Sequence, residues 1–255
     1  MLLDAWRLSL GTLSAVPVRP PALVDRRRAG AAMVLAPLAA LPLGTAVTLA
    51  ALAGRWLDLP PLVVALLAVG AAVLGNRAFH LDGLADTVDG MAASYDRDRS
   101  LAVMKTGTSG PASVVAIVLT VGLQAAGLAG ILDLPHPDRA AVLAGVALCV
   151  SRAALVACCV RGVPSARPGG LGDTYTQTVP RPVAALVWTL GAAVLAVVGA
   201  WAGLAWWRGA LAAALALAVD GLVVARAVRR LGGVTGDVFG AGTELSLATL
   251  LVALS

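Results

Sequence analysis

Charged residues are scarce in this chain: Asp, Glu, Lys and Arg make up 13% of its 255 residues, against about 25% in soluble globular domains. Aromatic residues are also few, at 4%, whereas hydrophobic residues reach 59%. The mean hydropathy is +0.89. This composition excludes an ordinary soluble domain and predicts an integral membrane protein, in which abundant Ala and Gly allow helices to pack closely.

Cysteine is equally sparse, and no disulfide framework is expected. The three cysteines, Cys149, Cys158 and Cys159, fall in one apolar segment without the spacing of metal ligands, so we interpret them as small packing residues. The net charge of +5 is distributed as bilayer topology would require, and we predict no nucleic-acid partner.

Seven segments approach the roughly 20 apolar residues that a spanning helix needs. The last is short, so we predict an all-α, polytopic bundle of six or seven transmembrane helices, forming one domain over 1–255. The segments are 30–53, 60–79, 111–132, 139–160, 183–206, 209–228 and 241–255. Prolines and the run "DRRR" precede the first span, which argues against a cleavable signal peptide. Residues 1–29 are therefore predicted to form an interfacial or re-entrant segment.

The basic residues predict the orientation of this bundle. If Arg26 to Arg28 are cytoplasmic, alternation of the spans leaves only Arg55, Arg139 and Arg208, of 19 basic residues, on the outer side. This matches the positive-inside rule and gathers the polar loops 80–110, 161–182 and 229–244 at the cytoplasmic face. Polarity at one surface favours an enzyme in the plasma (inner) membrane over a carrier, whose polar residues more often lie at mid-membrane depth.

The most specific motif is "HLDGLADTVDG" at 80–90. In a helix, its offsets of four and three residues place Asp82, Asp86 and Asp89 on one face. Like charges repel, so a divalent cation such as Mg²⁺, which prefers carboxylate oxygens and shares its shell with phosphates, is the simplest partner. Gly83 would let a phosphate or a backbone approach, and His80 is a candidate proton acceptor or a structural histidine. The alternative is a solvated loop with exposed aspartates.

Basic residues near this motif are candidate phosphate ligands. Arg97, Arg99 and Lys105 follow it directly, and Arg167 lies in the Gly-rich loop 161–182; each could instead belong to a solvated charge run. Arg152 falls within a span, where a charge is costly and must face the bundle interior. It could reach a phosphate from there or pair inside the bundle, as we expect for the intramembrane Asp220.

A second acidic site is predicted in "RRLGGVTGDVFGAGTELS" near the C-terminus. Asp237 is surrounded by glycines, among them Gly233, whose backbone N–H groups could turn toward an anion. Asp237 could complete the metal shell of the first cluster or accept a proton from an attacking hydroxyl. The alternative is a Gly-rich connector without a chemical role.

The motifs "HLDGLADTVDG", "MKTGTSG", "SRAALVACCVRG" with "RPGGLG", and "LGGVTGDVFGAGTEL" resemble, in order, those of the cobalamin synthase family of adenosylcobinamide-GDP ribazoletransferases. The resemblance implies a Mg²⁺-dependent late step of cobalamin assembly. In it, α-ribazole or its 5′-phosphate is joined to adenosylcobinamide-GDP, and GMP is released. It also implies that Asp82, Asp86 and Asp89 hold the metal and diphosphate, with Asp237 as further ligand or base. Lys105 and Arg152 would then contact phosphate oxygens.

The chain departs from the family pattern at Thr106, where an aspartate is usual, in "GTSG", and at Leu247, where a glutamate is frequent.

Two other functions remain open. A CDP-alcohol phosphotransferase also binds metal through clustered aspartates, but its Asp-Gly-x2-Ala-Arg pattern is absent. A cation-coupled carrier would need paired acidic residues at mid-membrane depth, where only Asp220 lies. Beyond the substrates and the lipid bilayer, a homo-oligomer is compatible with the sequence, which does not fix the oligomeric state.

Overall fold

The computed structural model describes residues 1–170 and 172–255 of the chain. This part of the chain contains thirteen α-helices and no β-strand, and only two isolated β-bridges join its loops. The helices are α1 Leu2–Leu13, α2 Arg26–Val34, α3 Ala36–Ala39, α4 Leu41–Trp56, α5 Pro61–Gly75, α6 Phe79–Ala93, α7 Arg97–Val103, α8 Pro111–Leu132, α9 Pro137–Ser151, α10 Ala154–Cys159, α11 Arg181–Ala202, α12 Trp206–Leu231 and α13 Gly236–Leu254. The predicted all-α bundle is confirmed.

Five stretches in the described residues are long and apolar enough to cross a bilayer, namely α8, α9 with α10, α11, α12 and α13. The pair α5–α6 passes the same test as one segment but is bent by 88°, so the span count is five or six. The protein is a polytopic membrane bundle, as predicted, and the count of five or six overlaps the predicted six or seven at six. The predicted span 30–53 is divided into α2, α3 and α4, since Pro37 and Pro42 begin new helices and cannot continue an old one.

The connections at one end of the bundle are short and flanked by tryptophans. Trp56 ends α4, Trp201 lies near the end of α11, and Trp206 with Trp207 begins α12; all four side chains are exposed. The Arg139 guanidinium at the start of α9 lies 5.2 Å from the Trp201 ring centroid. Exposed tryptophans collect at the membrane–water boundary, so these connections mark one surface of the bilayer.

Helix α13 lies at the centre of the bundle, packed against α6, α8, α9, α10 and α12. The predicted last span, 241–255, is thus longer than expected and begins at Gly236. Its buried position explains why its first turns can carry polar side chains, because these face other helices and not lipid.

A sharp bend between α5 and α6 sets the direction of the acidic helix. Arg77 and Ala78 adopt left-handed backbone conformations, with φ of 59° and 57°, which non-glycine residues seldom do. The Arg77 guanidinium donates a hydrogen bond of 3.1 Å to the Gly11 carbonyl of α1. The bend turns α6 away from the axis of α5 and onto α8 and α13.

The N-terminal segment forms the short helix α1, packed on α2 and α3. Asp4 joins these parts, since its carboxylate accepts hydrogen bonds from the Ala22 N–H at 3.2 Å and from Arg28 Nε at 3.1 Å. These two hydrogen bonds lower the pKa of Asp4. The depth of α1 in the membrane stays a prediction.

Candidate functional site

Two glycines bring the acidic helix α6 into backbone contact with α13. A Cβ atom added at Gly83 would lie 2.7 Å from the Asp237 carbonyl oxygen, and one added at Gly240 would lie 2.8 Å from the His80 carbonyl oxygen. Neither position can hold a side chain without moving a helix. The face of Gly83 is therefore filled by α13 and leaves no room for the phosphate predicted there.

This crossing gathers the two predicted acidic sites into one. Residues 79–93 are helical, as the acidic motif predicts, and Asp82 is exposed while Asp86 is partly buried. The carboxylates of Asp82 and Asp237 are close enough to that of Asp86 for their charges to repel it. Three carboxylates from α6 and α13 thus face one region at the surface of the bundle.

Asp89 differs from the other two aspartates of the motif. It is buried, and its oxygens accept hydrogen bonds from the Gly110 N–H at 2.6 Å and the Ser113 N–H at 3.1 Å. These N–H groups belong to the first turn of α8, where a carboxylate satisfies unpaired donors and complements the helix dipole. Asp89 therefore caps α8, and its role as a metal ligand stays a prediction.

Among the described residues, no three His, Cys, Asp or Glu side chains are already close enough together to form a metal site. The carboxylates of Asp82, which is exposed, and of Asp86 and Asp237, which are partly buried, nevertheless fit Mg²⁺ chemically, because they are hard oxygen donors of one sign on one surface. A metal site formed by these three residues stays a prediction.

Arg167 brings a positive charge to the acidic site. Its Nη1 lies 3.9 Å from Asp237 Oδ2, and its Nη2 donates to the Leu101 carbonyl. Thr235 Oγ1 donates to Asp237 Oδ2 at 3.1 Å and accepts from the Val238 N–H at the start of α13. Thr235 was not predicted, although a threonine directly before a helix is a recognisable cap signal.

The three predicted loops meet, and Arg97 is one of the residues that join them. Its Nε donates to the Leu231 carbonyl at 2.8 Å and its Nη2 to the Ala166 carbonyl at 2.7 Å. A Cβ atom at Gly233 would lie 2.5 Å from the Pro164 carbonyl oxygen. Arg97 and Gly233 thus connect segments of backbone, in place of the phosphate contacts predicted for them.

Arg99 and Lys105, two of the candidate phosphate ligands, have exposed side chains. Both are exposed at the surface that carries the acidic site, and within the described residues neither side chain forms a hydrogen bond or an ion pair. Both could bind an anion. Position 171, inside the predicted active-site loop 161–182, lies outside the described residues.

Two predicted site residues are buried below the acidic surface. His80 is 2% exposed and Arg152 is fully buried at the junction of α9 and α10. Burial corrects the prediction that Arg152 contacts phosphate and the prediction that His80 accepts a proton from substrate. Asp220 is also buried, and its Oδ2 accepts a hydrogen bond of 3.2 Å from Ser246 Oγ, which agrees with a structural role.

Comparison with known proteins identifies the family of this chain. The model of the cobalamin-5-phosphate synthase family matches residues 5–255. The chain is 53% identical over 251 residues to an adenosylcobinamide-GDP ribazoletransferase of Nocardioides sp., covering 98% of this chain and 97% of that relative. It is 35% identical over 272 residues to the enzyme of the same name from Frankia casuarinae, covering 100% of this chain and 95% of the relative. No solved structure matches the chain. The protein therefore belongs to the cobalamin-5-phosphate synthase family.

Proposed function

We propose that this protein is an adenosylcobinamide-GDP ribazoletransferase of the cytoplasmic membrane. The observation that carries the proposal is the meeting of Asp82 and Asp86 of α6 with Asp237 of α13, at a crossing fixed by Gly83 and Gly240. Phosphoryl transfer from a diphosphate requires that negative charge be neutralised at one place, and this is the acidic surface best suited to hold a divalent ion for it.

The proposed reaction breaks the phosphoanhydride bond of the diphosphate and forms a phosphate ester. A ribose hydroxyl oxygen of α-ribazole, other than the 5′ oxygen that carries the phosphate in α-ribazole 5′-phosphate, attacks the phosphorus attached to cobinamide. The bond from that phosphorus to the bridging oxygen breaks, and GMP leaves. α-Ribazole 5′-phosphate carries the same hydroxyl and reacts in the same way. The products are GMP and either adenosylcobalamin or its 5′-phosphate, according to the acceptor.

Each residue of the acidic site has a proposed role in this phosphoryl transfer. Asp82, Asp86 and Asp237 would hold a Mg²⁺ ion, whose charge offsets the negative charge that develops on the phosphoryl oxygens. Arg167 lies at the edge of the site, and the exposed Lys105 and Arg99 can donate hydrogen bonds to phosphate. Of the three carboxylates, that of Asp237 lies 3.9 Å from Arg167 and accepts a hydrogen bond from Thr235. Asp237 could therefore take the proton of the attacking hydroxyl instead of binding the metal.

A small apolar cavity inside the bundle favours an enzyme over a carrier. A cavity of about 10 Å³ lies between α4, α5, α8, α9 and α13, and its walls are entirely apolar. The lining residues are Val47, Val69, Ala72, Leu128, Ala144, Leu148, Leu247 and Leu251. A cavity of this size holds about one water molecule, so it offers no room for a transported solute.

The test is a transferase assay on the purified protein in liposomes. Adenosylcobinamide-GDP and α-ribazole should give adenosylcobalamin and GMP in the presence of Mg²⁺, and no product after chelation with EDTA. CDP-diacylglycerol with an alcohol acceptor should give none. Product formation from the CDP-lipid alone would support the CDP-alcohol phosphotransferase alternative, and full turnover in EDTA would refute the metal assignment.

The cytoplasmic orientation of the site is part of the proposal and is supported by the distribution of arginines. Ser109→Cys places a thiol in the exposed connection between α7 and α8. An impermeant maleimide should label it in inverted membrane vesicles and not in intact cells. Labelling in intact cells would place the site outside.

A further inference from the structure

A layer of buried polar side chains lies directly beneath the acidic surface. Glu244 of α13 is 2% exposed, and its Oε2 accepts a hydrogen bond of 2.8 Å from Gln124 Nε2 of α8. Its Oε1 lies 3.7 Å from His80 Nδ1 of α6. The Asn76 side-chain amide lies 3.3 Å from the same histidine nitrogen. Glu244 thus links the three helices that surround the acidic site.

Arg152 supplies the positive charge of this layer. It is fully buried, and its Nη1 donates to Ser151 Oγ at 2.7 Å. The opposite charge of Glu244 acts on it from beyond ion-pair distance. Within the described residues, its Nε and Nη2 have no hydrogen-bond partner. A buried charge that loses its counter-charge is strongly destabilised, whereas replacement of both members of a pair is often tolerated.

The positions of these residues connect the layer to the carboxylates above. Glu244 follows Asp237 by seven residues, about two turns of α13, and His80 precedes Asp82 by two residues on α6. The glycine crossing involves the same residues, because Gly240 contacts the backbone of His80 and Gly83 contacts the backbone of Asp237. A shift of either helix along this contact would therefore move Asp82 and Asp86 relative to Asp237.

We propose that Glu244 is a positioning residue, which holds α13 in register against α6 through Gln124, His80 and Arg152 so that Asp237 faces Asp82 and Asp86. The expected effect on kcat rests on the proposed function. The expected effect on cation affinity does not, because three carboxylates held in register bind a divalent cation more tightly than three that are displaced.

The test compares Glu244→Gln with a matched variant of the same helix. Gln keeps the length of the side chain and an oxygen for Gln124, but it removes the charge that faces Arg152. Ser246→Ala removes a buried hydroxyl two residues away that bonds to Asp220 and not to this layer. We expect kcat to fall about 10- to 100-fold in Glu244→Gln, with KM for both substrates within about twofold of wild type. Ser246→Ala should retain wild-type kcat.

Cation binding gives a readout that does not depend on turnover. Mn²⁺ titration followed by electron paramagnetic resonance should show a dissociation constant raised about tenfold in Glu244→Gln and unchanged in Ser246→Ala. The double variant Glu244→Gln with Arg152→Met leaves no buried charge unpaired, so its kcat and Mn²⁺ affinity should recover toward wild type.

The outcomes separate this inference from the proposed function. Wild-type Mn²⁺ affinity and kcat in folded Glu244→Gln would overturn the inference while transferase activity stands. Altered Mn²⁺ affinity in a protein without transferase activity would support the inference and overturn the proposed function. A lower melting temperature in Glu244→Gln with unchanged Mn²⁺ affinity would reduce Glu244 to a purely structural residue and also overturn the inference.

Discussion

Helices α11 and α13 are both long and apolar, yet they occupy opposite environments. In the most apolar part of each helix, 72% of α13 is buried inside the protein against 17% of α11. α13 carries Asp237 and Glu244, whereas α11 presents exposed leucines such as Leu186 and Leu190 to the lipid. Hydropathy therefore identifies both as membrane helices, and only the polar residues indicate which of them lies at the centre.

The sharpest contrast between these helices is expected at Asp237 and Leu190. Asp237→Asn removes a carboxylate of the acidic site and should lower kcat about 1,000-fold, because charge neutralisation at the transferring phosphate is lost. Leu190→Ala, on the lipid-facing side of α11, should retain wild-type kcat. Both are measured as GMP release per folded enzyme, and equal activities of the two variants would remove the distinction between centre and periphery.

Glycines at the centre and at the periphery should respond to alanine with opposite signs. Gly240→Ala forces a Cβ to within 2.8 Å of the His80 carbonyl oxygen and should lower stability by about 1–3 kcal/mol through overpacking. A Cβ atom added at Gly122 of α8 would meet no other atom within 4 Å. Gly122→Ala should therefore stabilise this helix by about 0.5–1 kcal/mol. Melting temperatures in detergent measure both, and a stabilised Gly240→Ala would contradict the close crossing.

Two neighbouring arginines at the end of α12 extend the comparison to the inner loops. Arg230 donates to the Met91 carbonyl at 3.1 Å and to the Ser94 carbonyl, and its guanidinium lies 4.4 Å from the Tyr95 ring centroid. Arg230→Gln should cost about 1–3 kcal/mol, since two partly buried carbonyls lose a charged donor.

The matched control is Arg229→Gln. Within the described part of the chain, the Arg229 side chain bonds only to the Ala225 carbonyl of its own helix, so its loss should change stability by less than about 0.5 kcal/mol. Chemical denaturation of both variants provides the measurement. Equal losses would show that the contacts of Arg230 with the end of α6 contribute no stability.

A small effect is expected at Asp89, although it belongs to the same motif as Asp82. Asp89→Asn keeps one acceptor for the first turn of α8 and loses the charge, which should cost about 1 kcal/mol and leave kcat within a few-fold of wild type. Asp82→Asn should instead lose most activity at unchanged stability. A loss of activity in Asp89→Asn without any loss of stability would return this carboxylate to the metal shell.

The membrane class, the helical acidic motif and the meeting of the polar loops were predictable, because composition, residue spacing and charge distribution determine them directly. The cap formed by Asp89 was not, since the spacing of the motif places it on the same face as Asp82 and does not reveal which face α8 covers. Arg97 and Gly233 are residue types that often bind phosphate, so the sequence favoured that role. In the structure they contact backbone carbonyls, which only the folding of the loops brings near. Pro37 and Pro42 lie inside the predicted span 30–53, whereas in the structure they lie in the first turns of separate helices.

The buried charges of Arg152 and Glu244 also bear on how the protein is made. Arg152 precedes Glu244 by 92 residues in the chain, so during synthesis the arginine enters the membrane well before its counter-charge exists. An unpaired arginine there is costly, and the arrival of α13 relieves that cost. Ribosomes that stall before this helix should therefore leave a nascent protein that membrane quality-control proteases recognise and degrade.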